Sequence, residues 1–307
     1  MVDQAKLPTE YRIAATGLQF PEGPVPMNDG SVLVVEIPRG TLTRVSASGE
    51  LDVVAECGGG PNGCAIGPDG KAYIANNGGS FSWIDLGGLT LPGPLPDTWV
   101  NGTIQRVDID TGEVETLYDS CDGRQLRAPN DLVFDDHGGF WFTDHGVREE
   151  RSSDRSGVFY AKADGSEIRE VIFPLDAPNG VGLSPLGDKV YVAETYTGRV
   201  WSWDVHTPGT AEGSGLLEPH GNLLTGLPDL QYLDSLAVDA EGNVCVGTLI
   251  NGGITVISAD GGSVGHVGID DLLVTNIAFR REEGTSASTA YITSSGTGRL
   301  LTMDWFC

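Results

Sequence analysis

Short apolar-rich runs alternate along the chain with turns rich in Asp and Gly, and the alternation itself recurs. Each recurrence opens on a polar residue, usually Asn after Pro. It then passes through an apolar segment, an Asp/Gly turn and a second apolar or aromatic segment. Six copies are legible: PEGPVPMNDGSVLVVE from Pro21, PNGCAIGPDGKAYIANN from Pro61, PNDLVFDDHGGFWFTDHG from Pro129, PNGVGLSPLGDKVYVAET from Pro178, LDSLAVDAEGNVCVGTL from Leu233 and TNIAFRREEGTSASTAYIT from Thr275. Two strands joined by a tight turn account for each copy, and a second hairpin usually follows. Its clearest examples are Thr103 to Tyr118, turning at Asp110-Thr111-Gly112, and Gly157 to Phe173, turning at Asp164-Gly165.

The leading polar residues are Glu22, Asn62, Asn130, Asn179, Asp234 and Asn276, at spacings of 40, 68, 49, 55 and 42. A four-stranded propeller blade takes roughly 40 to 50 residues. The pattern therefore predicts an all-β fold, a six-bladed β-propeller of four-stranded blades, as a single domain over residues 1–307. The last copy is one strand short, since Arg299 to Trp305 supplies only its third. Tyr11 to Leu18, ahead of the first copy, is the natural fourth strand, so that the two ends of the chain close the ring and leave no open sheet edge.

Strand parity then places the loops. If each leading residue starts an innermost strand at the top face, the connections after the second strands return to that face. Asn76 to Gly102, Asp144 to Ser156 and Glu194 to Gly198 then gather above the ring. The segment 78–102, with Phe81, Trp83, Leu89, Leu91 and Trp99, is far longer than an ordinary hairpin connection and reads as a lid or pocket wall.

Composition narrows the class. With 18 Lys+Arg against 43 Asp+Glu, the net charge is −25, a field that repels phosphates and anionic headgroups and excludes an ordinary nucleic-acid or membrane-surface partner. Hydrophobic residues, 39% of the chain, suffice for a core. No apolar run is long enough to span a bilayer, and Met1 to Glu10 lack a secretory pattern, so a cytoplasmic protein is expected. Five cysteines without a Cys-x-x-Cys pair argue against a disulfide framework, although Cys57 and Cys64 are close enough in sequence to pair if the fold brings them together.

Six leading side chains must converge near the ring axis. Glu22 and Asp234 supply carboxylates, and Asn130 and Asn179 supply amide oxygens. This hard, all-oxygen set suits one divalent cation, Ca²⁺ in first place with Zn²⁺, Mn²⁺ or Mg²⁺ as the other candidates. Asn after Pro at a strand start also serves plain turn chemistry, the side chain capping local backbone groups. The two positions that depart from Asn both carry acids, which favours the cation.

The motifs FPEGPV at Phe20, APNDLVFDDHGGFWFTD at Ala128, APNGVGLSP at Ala177, YVAETYTGRVWSWDV at Tyr191 and LDSLAVDAEGNVCVGTL at Leu233 resemble the gluconolactonase, regucalcin (senescence marker protein) and luciferin-regenerating-enzyme family, over about residues 15–305. The resemblance implies one divalent metal in the central tunnel and a hydrolase site on its open side. It implies that Glu22, Asn179 and Asp234 are ligands, that Asn130 ligates or contacts substrate, and that Asp234 is catalytic. A substrate arginine before Asn-Asp corresponds to Arg127 or Arg124. Related lactonases often read Pro-x-Tyr-Gly after Phe-Thr-Asp, where this chain has His145-Gly146-Val147.

The expected reaction is metal-assisted opening of a sugar or other small lactone, with Asp234 as general base or, as a variant, nucleophile. Asn62, Asn130, Arg127, His145, Glu194 and Trp83 are the expected substrate contacts. An apolar wall from Trp83 and Trp99 would favour a bulky aromatic or alkyl lactone over a sugar. Phosphotriester or fluorophosphate hydrolysis and non-catalytic calcium or ligand binding are the alternatives on the same scaffold. Ser80 and Ser82 do not lie in a Gly-x-Ser-x-Gly setting, which disfavours either as a serine-hydrolase nucleophile.

Overall fold

The computed structural model describes residues 1–281 and 288–305. The turn of the sixth repeat, 282–287, and Cys307 lie outside them. Six antiparallel four-stranded sheets form the molecule. Blade 1 consists of Pro21–Pro26, Val32–Glu36, Thr41–Val45 and Leu51–Glu56, and blade 2 of Pro61–Ile66, Ala72–Asn76, Thr103–Val107 and Val114–Tyr118. Pro129–Phe134, Gly139–Asp144, Ser156–Lys162 and Ile168–Leu175 make blade 3; Pro178–Leu183, Lys189–Glu194, Arg199–Asp204 and Asn222–Gly226 make blade 4. Blade 5 runs Tyr232–Val238, Val244–Leu249, Gly253–Ile257 and Val264–Gly268. Blade 6 takes Val274–Arg281, Ser288–Ser294 and Arg299–Trp305 from one end of the chain and Arg12–Thr16 from the other, with Arg12 opposite Thr302 and Thr16 opposite Arg299.

The first strands of the six blades touch one another in a closed circuit around the axis. Burial follows from that order: the first and second strands are almost wholly buried, whereas an outermost strand such as Leu51–Glu56 is mostly exposed. Because successive side chains point to opposite faces of a strand, each second strand feeds two cores. Phe140 and Phe142 pack toward Tyr73 and Ile104 of blade 2, while Trp141 between them packs toward Val190, Val192 and Trp203 of blade 4. The core is thus a ring of inter-blade layers, and Cys57 and Cys64 sit in one of them as free, buried thiols. Among the described residues no helix is long and apolar enough to cross a membrane.

Every first strand is irregular at or beside its leading residue. The pairing with the second strand shifts between Glu22 and Val25, Pro61 and Gly63, Pro129 and Leu132, Pro178 and Val181, Leu233 and Leu236, and Val274 and Asn276. A bulge at such a point breaks strict alternation and re-aims a side chain. Glycine makes room beside it: a Cβ on Gly180 would lie 2.5 Å from the Leu236 nitrogen and 2.7 Å from the Asp234 carbonyl oxygen. Blades 4 and 5 can therefore approach closely where Asn179 and Asp234 begin their strands.

Candidate active site

The six leading residues are all buried, and their hydrogen bonds divide them. One Glu22 oxygen, Oε2, accepts from its neighbour Gly23 N (2.9 Å) and from Asn276 Nδ2 (2.9 Å), while Asn276 Oδ1 accepts from Ile277 N (2.8 Å). Asn276 is thereby a brace for Glu22. Asn62 Oδ1 accepts from Asn77 Nδ2 at 3.2 Å. Asn179 donates through Nδ2 to Thr195 Oγ1 (3.1 Å), and its Oδ1 accepts from Ser235 Oγ (3.4 Å). Asp234 Oδ1 accepts from Ser235 N at 3.1 Å. Asn130 Oδ1 is buried with no hydrogen-bond partner in the protein, the sort of group that otherwise costs stability.

Burial dominates the electrostatics. Removal from water pushes the Glu22 carboxyl up to about 7. The same cause, reinforced by the charge on Glu22, raises Asp234 well above the ordinary carboxylate range. A third acid belongs to this group. Asp131, beside Asn130, is buried and accepts from Leu132 N (2.9 Å) and, across to blade 4, from Val181 N (3.1 Å). Burial and the Glu22 charge push it up to about 8. Its signal in the sequence is Asn-Asp at a place where Asn62 and Asn179 are each followed by Gly.

Above these donors lies a cavity of about 240 Å³. Glu22, Asn62, Asn130, Asn179, Thr195 and Asp234 line it from the first strands and the start of the blade 4 loop. Phe20, Ile37 and Leu249 supply apolar wall from blades 1 and 5, and the long insertion adds Phe81, Pro92 and Gly93. His145, Tyr196 and Tyr232 complete it from blades 3, 4 and 5. The insertion folds into a hairpin, Trp83–Asp85 with Thr90–Pro92, and Thr90 N donates to Gly296 O of blade 6 at 2.8 Å. It therefore bridges from blade 2 across the top face.

Of the expected substrate contacts, Asn62, Asn130 and His145 line this cavity and the other three do not. Trp83 stands behind the wall, its ring 4.9 Å from Phe20 and 6.2 Å from Phe81. Arg127 lines a neighbouring cavity, where Nε donates to Asp154 (2.9 Å), a terminal nitrogen to Asn101 (2.9 Å), and the guanidinium stacks 4.5 Å over Trp99. Arg124 lines that same neighbouring cavity. Glu194 accepts from Asp176 N (2.9 Å), Thr197 Oγ1 (2.6 Å) and Trp201 Nε1 (3.0 Å), which uses both its oxygens.

That role for Glu194 recurs around the ring. In blades 1 to 3, as in blade 4, the residue ending the second strand accepts from backbone just ahead of the first: Glu36 from Gln19 N (2.6 Å), Asn76 from Gly60 N (2.9 Å), and Asp144 from Arg127 N (2.6 Å) and Ala128 N (2.8 Å). These clasps hold the entry loops that aim the leading residues. His145 differs from them. Its Nδ1 lies 3.1 Å from Gly146 O, and because a carbonyl only accepts, Nδ1 donates and Nε2 is left as an acceptor. Burial holds the ring neutral by lowering its proton affinity.

The donor set fits a hard cation. Among the described residues no group of three or more His, Cys, Asp or Glu side chains is arranged to hold a metal. The site offers instead two carboxylates, Glu22 and Asp234, with amide oxygens. Two mutually repelling buried acids and an orphaned amide oxygen are all relieved by one divalent ion with oxygen ligands.

A ring of six four-stranded blades, with a small cavity over buried carboxylates on its innermost strands, defines a β-propeller with a candidate site at the ring axis. The chain belongs to the family described as the SMP-30/gluconolactonase/LRE-like region, which matches residues 20–296. A gluconolactonase from Zymomonas mobilis is 26% identical over 94% of this chain and 79% of its own length. Among solved structures, a gluconolactonase from Xanthomonas campestris superposes with a TM-score of 0.75 at 20% identity, over 98% of this chain and 92% of that one. A calcium-binding regucalcin from Agrobacterium tumefaciens gives 0.75 at 16% identity, over 98% and 96%. At those identities the structural likenesses speak to the fold.

Proposed function

We propose that this protein is a hydrolase that opens a small lactone to its hydroxy acid, with one divalent cation, Ca²⁺ in first place, held by Glu22, Asn130, Asn179 and Asp234. The observation that carries the reading is the partnerless Asn130 Oδ1 beside two buried acids on the floor of a cavity. The gluconolactonase relative and the calcium-binding fold neighbour support it.

Bound there, the cation supplies a Lewis acid for the ring carbonyl and for the negative charge that develops on its oxygen. The chain's own residues do the rest. Asp234 Oδ1 is engaged by Ser235 N, which leaves Oδ2 to take a proton from the attacking water as its hydroxyl adds to the carbonyl carbon. The ring C–O bond then breaks, and the proton passes to the departing alkoxide. Burial raises the proton affinity of Asp234 and the cation's charge offsets part of that rise, which suits a base working near neutrality. Glu22, braced by Asn276, stays fixed throughout. The apolar walls keep bulk water from the acceptor carbon, and the −25 charge of the chain expels the anionic product.

The test is proton release on a lactone panel by chelator-stripped protein with Ca²⁺, Zn²⁺, Mn²⁺ or Mg²⁺ restored, beside Asp234→Asn. Metal-dependent acid production that the variant loses is the expected result. Stoichiometric metal binding with no turnover of any lactone overturns the reading and directs the search to phosphotriesters and then to ligand binding without catalysis.

A further inference from the structure

The walls of the cavity differ from its floor in a way that speaks to substrate. Floor and walls meet in about 240 Å³, below the roughly 300–1,000 Å³ usual for drug-sized ligands, so the occupant is small. Two aromatic clusters flank it. Phe20 and Phe81, backed by Trp83, come from blade 1 and the insertion that bridges over it. His145, Tyr196 and Tyr232, joined by edge-to-face contacts at 5.8 and 5.3 Å, come from blades 3, 4 and 5. Blade 4 stands opposite blade 1 in a six-membered ring, so the clusters face each other across the axis. Arg148, 3.5 Å over the Tyr196 ring, stiffens the second.

Hydrogen-bonding capacity is concentrated below. Among the lining residues there is no Lys, Arg or Gln, and of the lining side chains above the floor only the His145 ring and two tyrosine hydroxyls can pair with a ligand. A polyhydroxylated sugar lactone presents hydroxyls around its whole ring, and those turned toward Phe20, Ile37, Phe81, Pro92 and Leu249 would give up water for no partner. A flat hydrocarbon ring loses nothing there and gains aromatic contact on both sides.

We infer that the preferred substrate is a small lactone carrying a planar aromatic or short apolar group, gripped between the Phe20/Phe81 and Tyr196/Tyr232 clusters, and that the 78–102 insertion sets this preference through Phe81. The inference rests on the lactone-hydrolase reading and sharpens it, and it departs from the sugar lactone that the name of the Zymomonas relative suggests.

The experiment compares kcat/KM for dihydrocoumarin and glucono-δ-lactone in the Ca²⁺-loaded wild type and in Phe81→Ser. Alongside it, binding of the unreactive lactam analogue of dihydrocoumarin to the wild type is followed by tryptophan fluorescence and titration calorimetry. Expected are at least a tenfold preference for the aryl lactone, a drop of about tenfold in that preference in Phe81→Ser carried mainly by KM, and saturable lactam binding. Equal or faster opening of glucono-δ-lactone by the wild type overturns the substrate inference while leaving the hydrolase reading intact. Saturable lactam binding without turnover of either lactone supports the aromatic slot and overturns the hydrolase reading. Absence of both lactam binding and aryl turnover overturns the slot. Should Phe81→Ser fail to fold, the wild-type preference and the lactam titration still decide.

Discussion

Asn130 and Asn276 hold the same place in two copies of one repeat, and each is 5% exposed. Their amides nonetheless live differently. Asn276 spends both ends inside the protein, donating to Glu22 and accepting from Ile277 N, whereas Asn130 keeps an oxygen that nothing in the protein satisfies. One position in a repeat can thus serve as scaffold in one blade and as an open donor in another. Hydrogen-bond satisfaction, more than residue type, separates them.

The largest way to break this contrast is to make a leading acid resemble its asparagine counterparts. Asp234→Asn should lower kcat about 10³-fold, within the roughly 10²–10⁴-fold that a positioned proton acceptor contributes, with near-native circular dichroism. Activity within tenfold of wild type would remove Asp234 from the chemistry.

Cation removal comes next. Without it, Glu22 must ionise unaided near pH 7 in a buried site, against about 4.5 in the unfolded chain. Between those values the folded state binds more protons than the unfolded, so stability of the stripped protein should rise as pH falls from 7 toward 4.5, by up to about 1.4 kcal/mol per unit. Restored Ca²⁺ at a hundred times its Kd should add about 2.7 kcal/mol at pH 7. Thermal melts across pH, with and without chelator, read both; a flat profile in the stripped protein would deny that burial raises the proton affinity of Glu22.

The comparison is sharpened most by a difference in sign. In stripped protein, Asn276→Ala should cost about 1–3 kcal/mol by leaving Ile277 N unpaired and Glu22 with Gly23 N but without its amide donor, while Asn130→Ala, which deletes an unsatisfied oxygen, should be neutral or stabilising. With Ca²⁺ present the order changes, and Asn130→Ala should weaken calcium at least as much as the roughly 10–100-fold typical of an outer-shell loss at Asn276. Urea titrations and calorimetry decide. The smallest effect is expected at Arg127: since it lies outside the cavity, Arg127→Ala should change kcat/KM less than about threefold and stability by about 1 kcal/mol or less.

The repeats were legible because their signals are local. Asn-Gly or Asn-Asp after Pro, the Asp/Gly turns and the period of the copies located all six first strands and the two acids among their leading residues. The cavity walls were harder, since Phe20, Phe81, Tyr196 and Tyr232 lie far apart in the chain and meet only through ring closure. Glu194 and Arg127 lie outside that cavity for another reason. A charged residue on a top loop looks the same whether it faces a ligand or is consumed by neighbours, and here Asp176 N, Thr197 and Trp201 consume the first while Asp154, Asn101 and Trp99 hold the second.

The bond from Asn276 to Glu22 spans 254 residues. At ribosomal rates of roughly 5–20 residues per second, Glu22 emerges some 13 to 50 seconds before its brace, and Arg12–Thr16 waits longer still for Arg299–Trp305. During that interval a buried acid has no pocket to occupy and an edge strand has no neighbour. Early blades can gather beside one another as they appear, but the floor of the cavity has to wait for the sixth blade, and the strand pair that closes the ring comes later still.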